Sequence, residues 1–314
     1  MKVIFFGLGS IGLRHARLLL SSFDHELYAF RSNATNKNKN ELGIQELYSW
    51  EEVEKIRPEV AFITGPTSLH LDIAIKCSKF CNKFFIEKPL DASTENVTKF
   101  LDIIKKNGAV TYLAYNLRFH PVVVKLKEFS EKNTFLHMRV KSTSFLPNWR
   151  PTQNHLESYS AHKKLGGGVI LDLSHEFDYI NYLLGDIVEL RGVGYKKSNV
   201  TIDTEDFVDV LIKSSLGQTN LHLDYFSHHT TRTIDIDFRE ISISANLIKG
   251  NIEIYKDGKL QETLEFPYEL DKMYQTQLEY FFNNIENNQM MNNVGEASDL
   301  FRKIIDFKEG ETYE

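Results

Sequence analysis

The chain opens on a strand, a glycine turn and a helix, with no spacer between them. Val3, Ile4, Phe5 and Phe6 follow Lys2, an apolar β-branched and aromatic run that predicts a strand. Gly7-Leu8-Gly9-Ser10-Ile11-Gly12 comes next, and Ile11, Ala16, Leu18, Leu19 and Leu20 then recur at helical spacing. Each glycine of G-x-G-x-x-G in this setting has its own reason: a tight turn, room for a pyrophosphate, and close packing of helix on strand. The helix N-terminus adds N–H donors and the positive end of the dipole. A glycine turn alone also serves packing. Its place between strand and helix argues for dinucleotide binding through Gly7, Gly9, Ser10, Ile11 and Gly12.

The alternation continues. Strands are predicted over 26–30, 60–64, 83–87 and 109–114, with helices over 69–80 and 94–107. Strands alternating with helices imply a parallel sheet with right-handed crossovers, whose ligands lie at the carboxyl ends of the strands. "FFIEKPL", residues 84–90, raises a question there: an apolar strand runs straight into Glu87, Lys88 and Pro89. At a carboxyl end those charges are expected to face a cofactor cleft. The alternative for Lys88 is a solvated lysine after a strand.

At 314 residues, two domains are expected. A net charge of -6 argues against a nucleic-acid partner. No apolar run approaches the length of a membrane helix, and Arg14, His15 and Arg17 interrupt the stretch that mimics a signal peptide. A cytoplasmic location follows as the expectation. Cys77 and Cys81 sit at i and i+4 of a predicted helix and make neither a disulfide framework nor a zinc site.

From Phe135 onward strand-like runs follow one another without intervening helices, joined by turns such as "SSLGQ" and "KDGK". The expected architecture is an α/β Rossmann domain, 1–117, followed by an α+β domain with a mostly antiparallel sheet, 118–314. In "FVDVLI" Val208, Val210 and Ile212 share one side, and Phe207 and Leu211 the other, so a sheet covered on both faces is expected, by helices such as 176–184 and 270–286 on one and a partner subunit on the other. In the segment 171–185, Asp172 and His175 stand at i and i+3, on one face if the helix is continuous, with Asp178 a further turn along. Gly166, Gly167 and Gly168 precede them and permit close backbone approach to a ligand. His175 is a candidate base, or a helix-start histidine bonded to a carboxylate. His222, His228 and His229 are read as structural, and no metal site is expected. In "FLPNWRPTQNHLESYS", Trp149 suits stacking on a sugar or base and Arg150 suits a phosphate or carboxylate; a domain-contact loop is the equal alternative.

Taken together, the glycine turn, "TGPTSLH", "EKP", "YNLRFHP", "GGGVILDLSHEFDYINYLLG" and "GEASDLFRKIID" resemble the Gfo/Idh/MocA oxidoreductases, in the expected order along almost the whole chain. The resemblance implies that Lys88 contacts substrate and nicotinamide, that the Lys88–Pro89 bond is often cis, and that Thr64, Pro66, His70 and Glu87 line the cofactor side. Asn116, Arg118, Trp149, Arg150 and Tyr159 are expected on the substrate side, and His175 and Asp172 with Lys88 in catalysis. It implies NAD(P)-dependent hydride transfer at a hydroxyl or keto carbon of a sugar, sugar derivative or sugar nucleotide, in a homodimer or homotetramer. The alternative is a catalytically silent, cofactor-binding regulator or sensor of the same fold. One departure stands out: the family's histidine follows its aspartate by four residues, and here by three. Counting back from Leu183-Leu184-Gly185 keeps His175 in register, so the missing residue falls between Asp172 and His175 and weakens a direct role for Asp172.

Hydride transfer from a carbinol carbon needs a base for the hydroxyl proton and a cation beside the developing alkoxide, roles that suit His175 and Lys88. For the cofactor, NAD-specific sites place a carboxylate after the second strand. After "ELYAF" the residues are Arg31-Ser32-Asn33, with no carboxylate. Arg31 and Ser32 suit a 2′-phosphate, so NADP is expected as the preferred cofactor, with NAD possible.

Overall fold

The protein is described by a computed structural model, covering residues 1–31, 40–150 and 154–310. It forms two compact units, Met1–Tyr115 with Tyr274–Asp299, and Asn116–Met273 with Leu300–Glu314.

Unit 1 is built as β1 (Lys2–Phe6), α1 (Ser10–Ser22), β2 (Glu26–Phe30), β3 (Gln45–Leu47), α2 (Trp50–Ile56), β4 (Val60–Ile63), α3 (His70–Cys77), β5 (Lys83–Glu87), α4 (Val97–Asn107) and β6 (Val110–Ala114). The six strands pair in parallel in the order β3-β2-β1-β4-β5-β6. Val3, Ile4, Phe62, Phe84 and Phe85 are fully buried, as a sheet covered on both faces requires. The order reverses between β1 and β4, which places a crevice outside their carboxyl ends. Tyr274–Asp299 belongs with this unit for an evident reason. Phe281 lies 5.3 Å from the ring of Phe85 and 5.9 Å from Tyr112, and Val294 N–H donates to Thr111 Oγ1 at 3.0 Å. The helix expected to reach Phe80 stops at Cys77, where Ser78 N–H closes the last turn on Ala74. Cys81 therefore lies beyond the helix, and both thiols are buried and free.

Unit 2 begins with α5 (Pro121–Lys132) and β7 (Phe135–Phe145), then α6 (Val169–Asp172) and α7 (Ser174–Leu184). There follow β8 (Ile187–Tyr195), β9 (Phe207–Ser214), β10 (Gln218–Asp224), β11 (Phe226–Phe238), β12 (Ser242–Asn246), β13 (Asn251–Lys256) and β14 (Lys259–Glu265). The chain ends with α8 (Leu270–Asn283) and α9 (Val294–Gly310). The eight strands run β14-β13-β12-β11-β7-β10-β9-β8, antiparallel except for the parallel pair β7–β10. Within one chain only one face of this sheet is covered. Val208, Val210 and Ile212 are buried, whereas Leu211 is 38% exposed between the exposed Asp209 and Lys213. The polar flanks keep that face open within one chain. His222 stands on it between Asp209 and Asp224, at 2.7 and 3.1 Å, a structural placement. Among the described residues no helix is long and apolar enough to cross a membrane.

Candidate active site

In unit 1 the glycine turn lies at the carboxyl end of β1. Gly7 has φ +115°, and a β-carbon on it would come within 2.6 Å of Gly65. One on Gly12 would lie 2.1 Å from the Gly7 carbonyl oxygen. These two glycines are required by the protein's own packing. Gly9 is not: a β-carbon there would meet nothing within 4 Å. Gly9 and Ser10 are exposed and Ile11 half-buried. No side chain caps the first turn of α1 and no acidic residue stands in it, so the turn presents its N–H groups to an approaching anion. This arrangement fits a dinucleotide pyrophosphate. Thr64 serves the turn from behind, its hydroxyl donating to the Gly7 carbonyl at 2.6 Å.

The question posed by "FFIEKPL" is answered by partners. Glu87 is buried, and its Oε1 lies 2.7 Å from His15 Nε2 on α1. His15 is wedged edge-on against Phe85 and Tyr274. The other oxygen of Glu87 accepts from Lys88 N–H at 3.2 Å. Glu87 thus ties the end of β5 to the helix that follows the glycine turn. Lys88 is half-buried, and its bond to Pro89 is cis. His70, expected beside the cofactor, is buried with Nδ1 2.9 Å from the Pro89 carbonyl and Nε2 3.1 Å from the Gly65 carbonyl. It braces two turns, while Pro66 is exposed ahead of it. Asp91, which no motif singled out, accepts from Leu71 N–H at 2.9 Å and Ala92 N–H at 2.6 Å and so anchors the start of α3.

In unit 2 the helix expected to carry both Asp172 and His175 is broken. α6 ends at Asp172, Leu173 departs from helical geometry, and α7 starts at Ser174. The break lies between Asp172 and His175, the interval in which the spacing expectation puts the missing residue. Asp172 is buried, and its Oδ2 accepts from Tyr225 O–H at 2.5 Å. Burial pushes the Tyr159 phenol up, reinforced by the charge of Asp172 and a hydrogen bond to it. Burial and the same carboxylate do likewise at Tyr225. Asp172 is thus gripped by two phenols, and His175 stands half-buried in the first turn of α7. The triple glycine also has a protein reason. A β-carbon on Gly167 would lie 2.3 Å from the Tyr159 carbonyl, and one on Gly168, at φ +115°, would strike the Glu205 carboxylate.

Arg118, expected on the substrate side, pairs with a carboxylate within unit 2. Nε and Nη2 donate to the two oxygens of Asp178 at 2.9 and 2.7 Å, with the side chains 9% and 1% exposed. Asn116 is buried in the turn before it. Arg150 donates to Ser158 Oγ at 2.9 Å and lies over the Tyr159 ring at 5.9 Å. Trp149 donates to Ser144 at 2.8 Å and packs edge-on against Tyr225. Trp149, Arg150, Tyr159 and Asp172 therefore belong to one cluster.

Residues 1–115 match the family described as "Oxidoreductase family, NAD-binding Rossmann fold". Over this first unit the chain is similar to the Gfo/Idh/MocA oxidoreductases. It is 28% identical over 60% of its length to myo-inositol 2-dehydrogenase of Thermotoga maritima, covering 56% of that protein. It is 25% identical over 65% of its length to scyllo-inositol 2-dehydrogenase (NAD(+)) of Bacillus subtilis, covering 60%. The matches thus span less than two thirds of these curated relatives. In fold it is similar to levoglucosan dehydrogenase in complex with NADH and levoglucosan, with a TM-score of 0.84 at 17% identity, covering 99% of this chain and 98% of that one. A UDP-N-acetylglucosamine 3-dehydrogenase from Acidithiobacillus ferrooxidans aligns with a TM-score of 0.79 at 19% identity, covering 99% and 96%.

One neighbour of a candidate site residue escaped the sequence reading. No carboxylate follows β2 in the sequence, yet Glu46 of β3 comes 3.8 Å from Arg31 Nη1. The sheet register creates that neighbour across 15 residues of sequence, and a motif confined to the end of β2 cannot show it. Ser32, expected beside Arg31, lies outside the described residues.

Proposed function

We propose that this chain transfers hydride between a nicotinamide cofactor and a hydroxyl or keto carbon of a sugar, polyol or sugar nucleotide. The observation that carries the reading is the carboxyl edge of the unit 1 sheet. There the open glycine turn follows β1, and Lys88, seated by Glu87 and His15, follows β5. A bound nicotinamide supplies the hydride acceptor or donor. Lys88 holds the reacting oxygen and steadies the developing alkoxide. His175 takes the hydroxyl proton in the oxidation direction and returns it in the reduction. Asp172 acts through the two phenols it binds, as a positioning residue. The names of the relatives, inositol, levoglucosan and UDP-N-acetylglucosamine dehydrogenases, support the substrate class. Arg150 favours an anionic sugar or sugar nucleotide within that class.

NADP(H) is proposed as the preferred cofactor, with Arg31 pairing the 2′-phosphate; NAD(H) is accepted as well. The open sheet face, where Leu211 is 38% exposed, is proposed to be covered by a second copy; a light-scattering mass above that of one chain would support this, and the mass of a single chain would remove it. The functional test is reduced-nicotinamide fluorescence during incubation with either oxidised cofactor and a panel of sugars, polyols and sugar nucleotides. A rise with a member of the panel, absent in Lys88→Ala, supports the reading. Cofactor binding without a rise for any of them favours the silent regulator.

A further inference from the structure

We infer that Glu46 sets the balance between NAD(H) and NADP(H) in this chain by controlling how far Arg31 is available to a 2′-phosphate. The inference rests on reading the carboxyl end of β2 as the adenosine-ribose end of the cofactor site. Ala29 pairs with Glu46 and Phe30 with Leu47 in the β2–β3 register, and Arg31 N–H donates to the Leu47 carbonyl at 2.9 Å. The short edge strand thereby sets Glu46 beside Arg31. The Glu46 side chain is only 9% exposed and is held from several directions. Tyr48 O–H donates to Oε2 at 2.6 Å and Asn40 Nδ2 to Oε1 at 3.1 Å, with the Arg31 guanidinium at 3.8 Å. Asn40 is itself fixed by bonds to the Ile44 carbonyl and Ile44 N–H at 2.8 and 2.9 Å. Burial alone would push the Glu46 carboxyl up. The bonds from Tyr48 and Asn40 and the charge of Arg31 bring it below its ordinary value, so it is a fixed anion near neutral pH.

A fixed anion here acts twice. It offsets the charge of Arg31, so a 2′-phosphate must share its guanidinium and approach a second negative group. It also offers an acceptor for a ribose 2′-hydroxyl, the task an acid after the second strand performs in NAD-specific sites. Arg31 and Glu46 therefore pull the cofactor preference in opposite directions, and the wild-type preference is their difference.

The test measures NADH and NADPH dissociation constants by fluorescence titration for the full-length wild type, Glu46→Gln and Arg31→Ala, with melting temperatures alongside. Glu46→Gln retains an acceptor for Tyr48 while removing the charge. It is expected to shift the ratio of the two constants at least ~10-fold toward NADPH, the scale of one charged hydrogen bond, chiefly by tightening NADPH. Arg31→Ala is expected to shift the ratio toward NADH. An unchanged ratio in Glu46→Gln, or equal weakening of both cofactors, overturns the inference and leaves Glu46 a structural residue. A wild type that prefers NADH would remove the proposed NADP(H) preference yet leave the inference standing if the ratio still moves. A wild type that binds neither cofactor overturns both this inference and the functional reading.

Discussion

The turn at Glu87-Lys88-Pro89 in unit 1 and the segment Gly166–Asp178 in unit 2 both carry charge in apolar surroundings, and they manage it differently. In the turn one acid, Glu87, holds α1 through His15 and receives the Lys88 backbone, leaving the lysine half-buried at the sheet edge. In unit 2 three acids are buried within seven residues, and each has its own partner. Asp172 has Tyr225, Glu176 has Arg232 at 2.8 Å, and Asp178 has Arg118. His175 stands among them, half-buried. A compact motif can use one neighbour as its support, whereas a helix start buried against a sheet needs a partner for every charge. In both places the residue assigned to chemistry is the one whose neighbours are already engaged in holding the fold.

The largest effect should come from unit 2. Arg118→Ala leaves Asp178 buried without its bidentate partner and is expected to lower unfolding free energy in urea by ~3–5 kcal/mol. A loss within ~0.5 kcal/mol, the range of ordinary surface changes, would break the claim that this pair holds α7. Next comes His120, two residues on. Burial lowers its pKa from 6.5 to about 4, and it caps α5 by accepting from Val122 N–H at Nδ1. The folded value lies below the unfolded one, so its stabilising contribution is present above pH 6.5 and lost as pH falls toward about 4. The separation corresponds to ~3 kcal/mol at most. Urea midpoints of wild type and His120→Gln should converge across that window as pH falls. Parallel curves would contradict the assignment. A finer contrast lies within one segment. His175→Ala should lower turnover ~100-fold, the scale of a positioned proton-transfer group. Asp172→Asn should cost less turnover and chiefly reduce stability, by roughly 1–3 kcal/mol from the weakened bond to Tyr225. If Asp172→Asn is the more damaging to turnover, the register that puts the missing residue between Asp172 and His175 is wrong.

How much of this was legible in the sequence follows from range. The strand–glycine–helix order, the parallel alternation and the "EKP" turn are local patterns, and the structure has them where the residues put them. The eight-stranded sheet was legible as a class, but which of its faces stays open within one chain was not. Leu211 reads as core by type, and only the exposed Asp209 and Lys213 around it show otherwise. The helix break at Leu173 was foreshadowed only by a spacing one residue short. Four facts depended on pairing across long sequence separations, for which no local signal exists: Glu87 with His15, Arg118 with Asp178, Glu46 with Arg31, and the return of Tyr274–Asp299 to unit 1.

The central claim separates adjacent residues of one motif, so the decisive measurement takes Lys88→Ala and Glu87→Gln side by side. Turnover with an accepted sugar or polyol is measured together with melting temperature. Lys88→Ala is expected to bind cofactor and melt as the wild type does while losing turnover ~100-fold or more. Glu87→Gln is expected to melt lower, because the buried bond to His15 loses its charge. Wild-type turnover in Lys88→Ala would contradict the account and leave the lysine as a solvated residue at the end of a strand.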